Sequence, residues 1–170
     1  ALGAIDVAAG SLAEALDGAA VCFCCAPVGA LADQIAAALA VAPEDCVVTD
    51  VGSTKGEVVA ACSDQRFVGG HPIAGAETAG VEHARADLFE DATWYLTPAA
   101  ATSGVLYERL HRLLAAIGAR PVAIDADSHD RLLATVSHLP HVLANALVTQ
   151  AAGALGEEGA ALPRVGPSFR

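Results

Sequence analysis

The chain has 170 residues, enough for one domain or for one domain and the start of another. Hydrophobic residues make up 54% of it but aromatic residues only 4%, so the expected core is Ala, Val and Leu, small side chains suited to helices packed over a parallel sheet. The formal net charge of -11, from 20 acidic and 9 scattered basic residues, argues against nucleic acid or an anionic membrane as a partner.

The longest uncharged apolar run, Ala19 to Ala32, has 14 residues and contains Pro27 and Gly29, whereas a membrane span needs about 20. The chain is therefore read as soluble. No basic stretch precedes an apolar one as in a secretory leader, and the first residue is Ala1, so the numbering is expected to begin inside a longer gene product.

Ser11-Leu12-Ala13-Glu14 is a capping-box pattern that opens a short helix ending near Gly18. Ala20 to Cys25 reads as a strand, Pro27 and Gly29 as a turn, and Leu31 to Leu39 as a helix with Leu31, Ile35 and Leu39 at intervals of four. Cys46 to Thr49 is the next strand and Glu57 to Cys62 the next helix, with Asp50-Val51-Gly52-Ser53-Thr54-Lys55-Gly56 between them. Ser53 falls on that turn, where its hydroxyl faces a ligand or caps the helix. Lys55 reads equally well as a solvated charge on the first turn.

Arg66 to Val68 is a third strand, which places His71 just past its end between Gly70 and Pro72, a position better suited to chemistry than to packing. Successive strand-helix-strand units imply a parallel sheet with right-handed crossovers. A polar stretch with Glu77, Glu82, His83, Arg85 and Asp87 leads to a strand at Thr93 to Leu96, ended by Pro98. Val105 to Ile117 is an amphipathic helix with Leu106, Leu110, Leu113 and Ile117 on its apolar face, closed by Gly118, and Pro121 to Ile124 is the last strand. From Ser128 to about Leu155 the pattern is one long helix interrupted only by Pro140, and the breaker-rich tail from Gly156 to Arg170 reads as irregular. The fold class is thus α/β: residues 1–126 form an incomplete Rossmann-type sheet domain, and residues 127–170 start an all-α domain.

The five cysteines, Cys22, Cys24, Cys25, Cys46 and Cys62, form no C-x-x-C pair. They read as small core hydrophobes, kept reduced in the cytoplasm, and no metal is expected. His83, His111 and His129 sit in charged or amphipathic surroundings and read as surface residues. His138 and His141 share a helix face but lack a third ligand.

Four segments, D-V-G-S-T-K-G at Asp50 to Gly56, G-G-H-P-I-A-G at Gly69 to Gly75 with Glu77 just beyond, A-R-A-D-L-F at Ala84 to Phe89 and S-H-L-P-H at Ser137 to His141, run in order along the chain. Together they resemble the prephenate dehydrogenase family of tyrosine biosynthesis, over nearly the whole chain. The resemblance implies a Rossmann-type domain followed by a helical dimerisation domain, and an oxidative decarboxylation. In that reaction hydride leaves the ring carbon bearing the hydroxyl for a nicotinamide, a histidine takes the hydroxyl proton, and the ring carboxylate departs as carbon dioxide while the ring aromatises.

By the same resemblance His71 is the proton acceptor, a task for which an imidazole with an ordinary pKa of about 6.5 is suited. Ser53 orients the histidine and the substrate hydroxyl, and Glu77 gates the mouth of the site. Ser137, His138 and His141 lie toward the substrate, with Arg170 beside the position of the arginine that binds its carboxylate. The turn at Ala26, Pro27 and Val28, together with Asp50 and Gly52, borders the cofactor. The family's glycine-rich pyrophosphate turn and its cofactor-selecting residue fall before Ala1, leaving NAD and NADP both open. Arogenate dehydrogenase, on the same fold and histidine, is the alternative activity, and a truncated paralogue without catalysis is the alternative of another class. A homodimer through the helical domain is the implied assembly.

Overall fold

The computed structural model describes residues 5–75 and 80–155. The chain divides into two units, Ala1–Asp130 and Arg131–Arg170. The tail expected to be irregular, with Arg170, lies outside the described residues, as does Glu77.

The first unit is built on a five-stranded sheet in the order β1 (Val21–Cys24), β2 (Val47–Asp50), β3 (Phe67–Pro72), β4 (Thr93–Pro98) and β5 (Arg120–Ala123). β1, β2 and β3 are mutually parallel, and β5 is parallel to β4. The β3–β4 pair departs from the expected all-parallel sheet. It is antiparallel, with Pro72 opposite Trp94 and Val68 opposite Pro98. A parallel return needs a crossover, usually a helix, whereas the described part of this connection forms only the 3-10 turn Val81–His83.

Two helical layers cover the sheet. On one face α1 (Leu12–Leu16), α2 (Val28–Val41) and α3 (Gly56–Ala60) bury Leu16, Leu31, Ile35, Ala38 and Val58 against Cys24, Val48 and Phe67. On the other, α4 (Gly104–Ala116) places Leu106, Leu110 and Leu114 against Val47, Val68, Trp94 and Leu96. Covered on both sides, β2 is buried along its whole length, including the polar Thr49 and Asp50 at its carboxyl end.

The expected capping box forms in a shifted version: the Glu14 amide donates to the Ser11 hydroxyl at 3.2 Å, while the Glu14 carboxylate accepts from the amide of Gly10, one residue before the cap, at 2.8 Å. The apolar face of α4 is centred differently from the expectation. Leu114 is fully buried while Leu113 and Ile117 remain 37% and 42% exposed, because the stripe runs 106, 110, 114. Gly118 closes α4 with a φ of 87°, which a side chain rarely adopts.

β3 is longer than the sequence suggests. Pairing with β4 extends it through Gly69 and Gly70 to His71 and Pro72, so His71 lies in the strand, opposite Tyr95, and not beyond its end. The glycines that looked like a turn are there for close approach. A Cβ on Gly70 would lie 2.5 Å from the Asp50 carbonyl oxygen and 2.8 Å from the Thr49 hydroxyl. Gly70→Ala is accordingly expected to lower unfolding stability by about 1–3 kcal/mol, the usual cost of overpacking, with denaturant titration as the check.

At the end of the first unit, α5 (Ala126–Leu133) begins a helical run that continues through one π-helical turn (Ala134–His138) into α6 (Leu139–Leu155). Pro140, expected to interrupt this helix, does not end it: it follows directly on the π-helical turn, a local widening of the ladder at the place where the proline lacks an amide. In the second unit Val136, Leu139, Val142, Leu143, Leu147 and Val148 are all more than half exposed. By length and composition alone the helix Ala126–Gly153 could cross a membrane. That surpasses the 14-residue run singled out in the sequence, because beyond Arg131 only uncharged polar residues punctuate it.

Candidate active site

The carboxyl ends of β2 and β3 carry the polar groups, and a buried ion pair fastens them together. Asp50, last residue of β2, is fully buried and accepts hydrogen bonds from the Gly52 amide at 2.8 Å and the Gly70 amide at 3.0 Å. Lys55 is fully buried too, contrary to the reading of it as a solvated charge. Its Nζ pairs with the Asp50 carboxylate and donates to the Gly70 carbonyl at 2.8 Å. Burial pulls the Lys55 ammonium below its ordinary range, with Asp50 and Asp130 opposing that shift. Asp50 and Lys55 thus hold the amide and the carbonyl of Gly70, the residue that precedes His71.

Ser53 lies on the β2–α3 turn, exposed, and does not cap α3. The cap comes from a residue 75 positions away: Asp130 accepts from the Lys55 amide through Oδ1 and from the Gly56 amide through Oδ2, both at 2.8 Å. The turn carrying Ser53 is therefore pinned at one end by Asp50 and at the other by Asp130. Ser53 owes its position to these two carboxylates.

His71 is half-buried, and its Nδ1 lies 2.9 Å from Nε2 of His129. His129 was expected at the surface, yet it is fully buried, and its Nδ1 lies 2.7 Å from Asp130 Oδ1. The Tyr95 ring stands edge-on to His129 with centroids 5.6 Å apart, completing the wall. Burial raises the Asp130 carboxyl, but hydrogen bonds from the Gly56 amide, the His129 ring and the Lys55 amide outweigh it, so the group titrates below its ordinary range. The arrangement places a histidine at the end of the sheet with a second histidine and a carboxylate behind it. Such a row is equipped to accept and hold a proton.

His129 and Asp130 were missed in the sequence because they sit among other charged residues, outside any run of obvious apolar period. The available signal was position. Asp125, Asp127, Ser128, His129 and Asp130 follow β5 directly, where an α/β sheet gathers its site residues.

At the end of β1, Cys25 and Pro27 are exposed while Ala26 and Val28 are partly buried. The Ala26 amide donates to the Gln34 side chain at 3.2 Å. Pro27 stands before α2 with no side chain capping the first amides, and a Cβ on Gly29 would meet nothing within 4 Å. Backbone can thus be approached closely here. All five cysteines are free thiols, but Cys25 is not in the core as expected: its position at the strand end leaves it exposed. Cys22 is drawn down to about 7 by a hydrogen bond with Cys24, whose own thiol is pushed up.

In the second unit Ser137 and His138 lie on the π turn, half-buried, and His141 is exposed in the first turn of α6. Among the described residues no group of three or more His, Cys, Asp or Glu side chains is placed to hold a metal ion.

The family described as "Prephenate dehydrogenase, nucleotide-binding domain" matches residues 1–123, and "Prephenate dehydrogenase, dimerization domain" matches residues 125–170. The chain belongs to the prephenate dehydrogenase family. A prephenate dehydrogenase of Bacillus subtilis is 40% identical over 111 residues, which are 62% of this chain and 30% of that protein. The crystal structure of prephenate dehydrogenase from Aquifex aeolicus in complex with hydroxyphenyl propionate and NAD+ superposes with a TM-score of 0.84 at 34% identity, covering 92% of this chain and 56% of that one. The Synechocystis arogenate dehydrogenase structure gives 0.78 at 28% identity, over 95% of this chain and 59% of that one. The chain therefore spans about a third of the length of the Bacillus subtilis prephenate dehydrogenase and somewhat over half of these solved chains.

Proposed function

We propose that the full-length protein carries out the NAD(P)-dependent oxidative decarboxylation of prephenate to 4-hydroxyphenylpyruvate, with His71 as the proton acceptor. The observation that carries this reading is the contact of His71 with buried His129 at the carboxyl end of the sheet. It gives a site-facing histidine a fixed partner within a family whose relatives include prephenate dehydrogenases.

The residues present suit a dinucleotide. The α2 N-terminus behind Ala26, Pro27 and Val28 offers uncapped amides, and Gly29 leaves open space beside them. Asp50 and Gly52 would border the cofactor at the start of the β2–α3 turn, which the Asp50 carboxylate shapes by accepting the Gly52 amide. The nicotinamide, when bound, supplies the hydride acceptor. NAD+ in the complex of the Aquifex aeolicus relative favours NAD over NADP here.

The chain's own residues then have distinct tasks. His71 takes the proton of the substrate hydroxyl, so that the carbonyl character developing at that carbon is not opposed by a bound proton. Ser53, on its doubly pinned turn, directs that hydroxyl toward the ring, as its oxygen can both donate and accept. Glu77 as gate, and Ser137, His138, His141 and Arg170 on the substrate side, rest on the resemblance alone. Residues 125–170 serve dimerisation, which supplies a cover for the exposed Leu139, Val142, Leu143 and Leu147. The division of labour at residue 126 follows the same reading. Free thiols accord with a cytoplasmic setting.

The test is steady-state kinetics of the full-length protein with prephenate and arogenate, each with NAD+ and NADP+. The expected outcome is a kcat/KM highest for prephenate with NAD+. A preference of tenfold or more for arogenate would shift the assignment to arogenate dehydrogenase, and no oxidation of either would favour a non-catalytic role.

A further inference from the structure

We infer that His129 and Asp130 are positioning residues that hold His71 with its proton on Nδ1 and its lone pair on Nε2. The inference rests on the reading of His71 as proton acceptor. It assigns work to two residues that do not themselves meet the substrate.

The hydrogen bonds fix the order of donors and acceptors. Asp130 already accepts two backbone amides, from Lys55 and Gly56, and an ionised carboxylate has no proton to give. The third contact on it, from His129 Nδ1 at 2.7 Å, must therefore be a donation by the ring. A neutral His129 then presents only a lone pair at Nε2. His71 Nδ1, 2.9 Å away, has to donate to it, and the His71 lone pair is left on Nε2.

A charged His129 would reverse this, donating from both nitrogens and leaving His71 protonated on Nε2, unable to accept. The acceptor role thus requires the neutral ring. When His71 takes up a proton, its new positive charge is one ring away from the Asp130 carboxylate, which favours the charged state without moving any group. The carboxylate is itself held still by the two amides at the start of α3, and Tyr95 stands edge-on to His129.

Three variants of the full-length protein and one spectrum test this. His129→Phe keeps a ring but removes the acceptor, and is expected to lower kcat with prephenate by roughly 10- to 100-fold while NAD+ affinity and KM stay within a factor of about 3. His129→Gln can accept from His71 and donate to Asp130 at once, and is expected to recover most of the loss. Asp130→Asn, which no longer carries charge, should fall between them. Nitrogen-15 NMR of the wild-type protein should show His71 with a protonated Nδ1 and a bare Nε2.

A His71 found protonated on Nε2 in the wild type overturns the inference whatever the variants do. So does wild-type turnover in His129→Phe. The spectrum needs no substrate, so if the wild-type protein fails to oxidise prephenate while His71 carries its proton on Nδ1, the functional reading fails and the tautomer assignment stands.

Discussion

Replacing His71 by Asn should lower turnover of prephenate by the full-length protein by about 100- to 10,000-fold, the range associated with loss of a positioned general base. Asparagine is polar and of similar reach, so the site keeps its shape, but its amide does not take up a proton near neutral pH. The loss should appear in kcat and in kcat/KM alike, with the dissociation constant for NAD+ nearly unchanged, because His71 sits at the end of β3 and the expected cofactor turn lies at the end of β1. Turnover near the wild-type value would remove His71 from the reaction. Ser53→Ala should cost less, since it deletes an orienting hydroxyl and leaves the base in place.

The largest expected effect on stability comes from Lys55→Met. Asp50 would remain fully buried with two amide donors and no cation, and breaking a buried pair from one side typically costs about 3–5 kcal/mol. The Gly70 carbonyl would lose its Lys55 donor as well. Adding Asp50→Asn to Lys55→Met should recover part of the loss, because the neutral amide no longer demands a counter-charge. Denaturant unfolding of the wild type, the single variant and the double variant measures this. A single variant within about 0.5 kcal/mol of wild type, the scatter of ordinary surface changes, would show that the pair is not what holds the two strand ends together.

The elements were legible in the sequence wherever periodicity and punctuation agreed. Ser11 and Glu14 announced α1, Leu31 and Ile35 marked the buried face of α2, and Gly118 ended α4. What periodicity does not encode is pairing. Nothing in Thr93 to Pro98 states whether it runs with or against β3, and the antiparallel choice is what draws His71 into the strand opposite Tyr95. Likewise the glycines at 69 and 70 look the same in a turn and in a strand pressed against its neighbour; only the 2.5 Å approach to the Asp50 carbonyl separates the two.

The candidate site was half legible for a related reason. His71 and Ser53 stood out through glycine-rich surroundings, whereas His129 and Asp130 looked like the charged start of an exposed helix. Their placement in the site comes from contacts 58 and 75 residues away in sequence, His129 to His71 and Asp130 to Lys55, which no local pattern announces. Lys55 was misread for the same cause: a lysine at a helix start is ordinarily solvated, and here the carboxylate of Asp50 and the carbonyl of Gly70 draw it inside.

The role of His71 is tested most directly by a crystal structure of the full-length protein with NAD+ and an unreactive hydroxylated analogue of prephenate. The analogue's hydroxyl oxygen is expected within about 2.6–3.2 Å of His71 Nε2, the reach a general base requires, with the His71–His129–Asp130 contacts intact behind it. An analogue bound with its hydroxyl beyond that reach, and another side chain of the protein in the place given to His71, would contradict it.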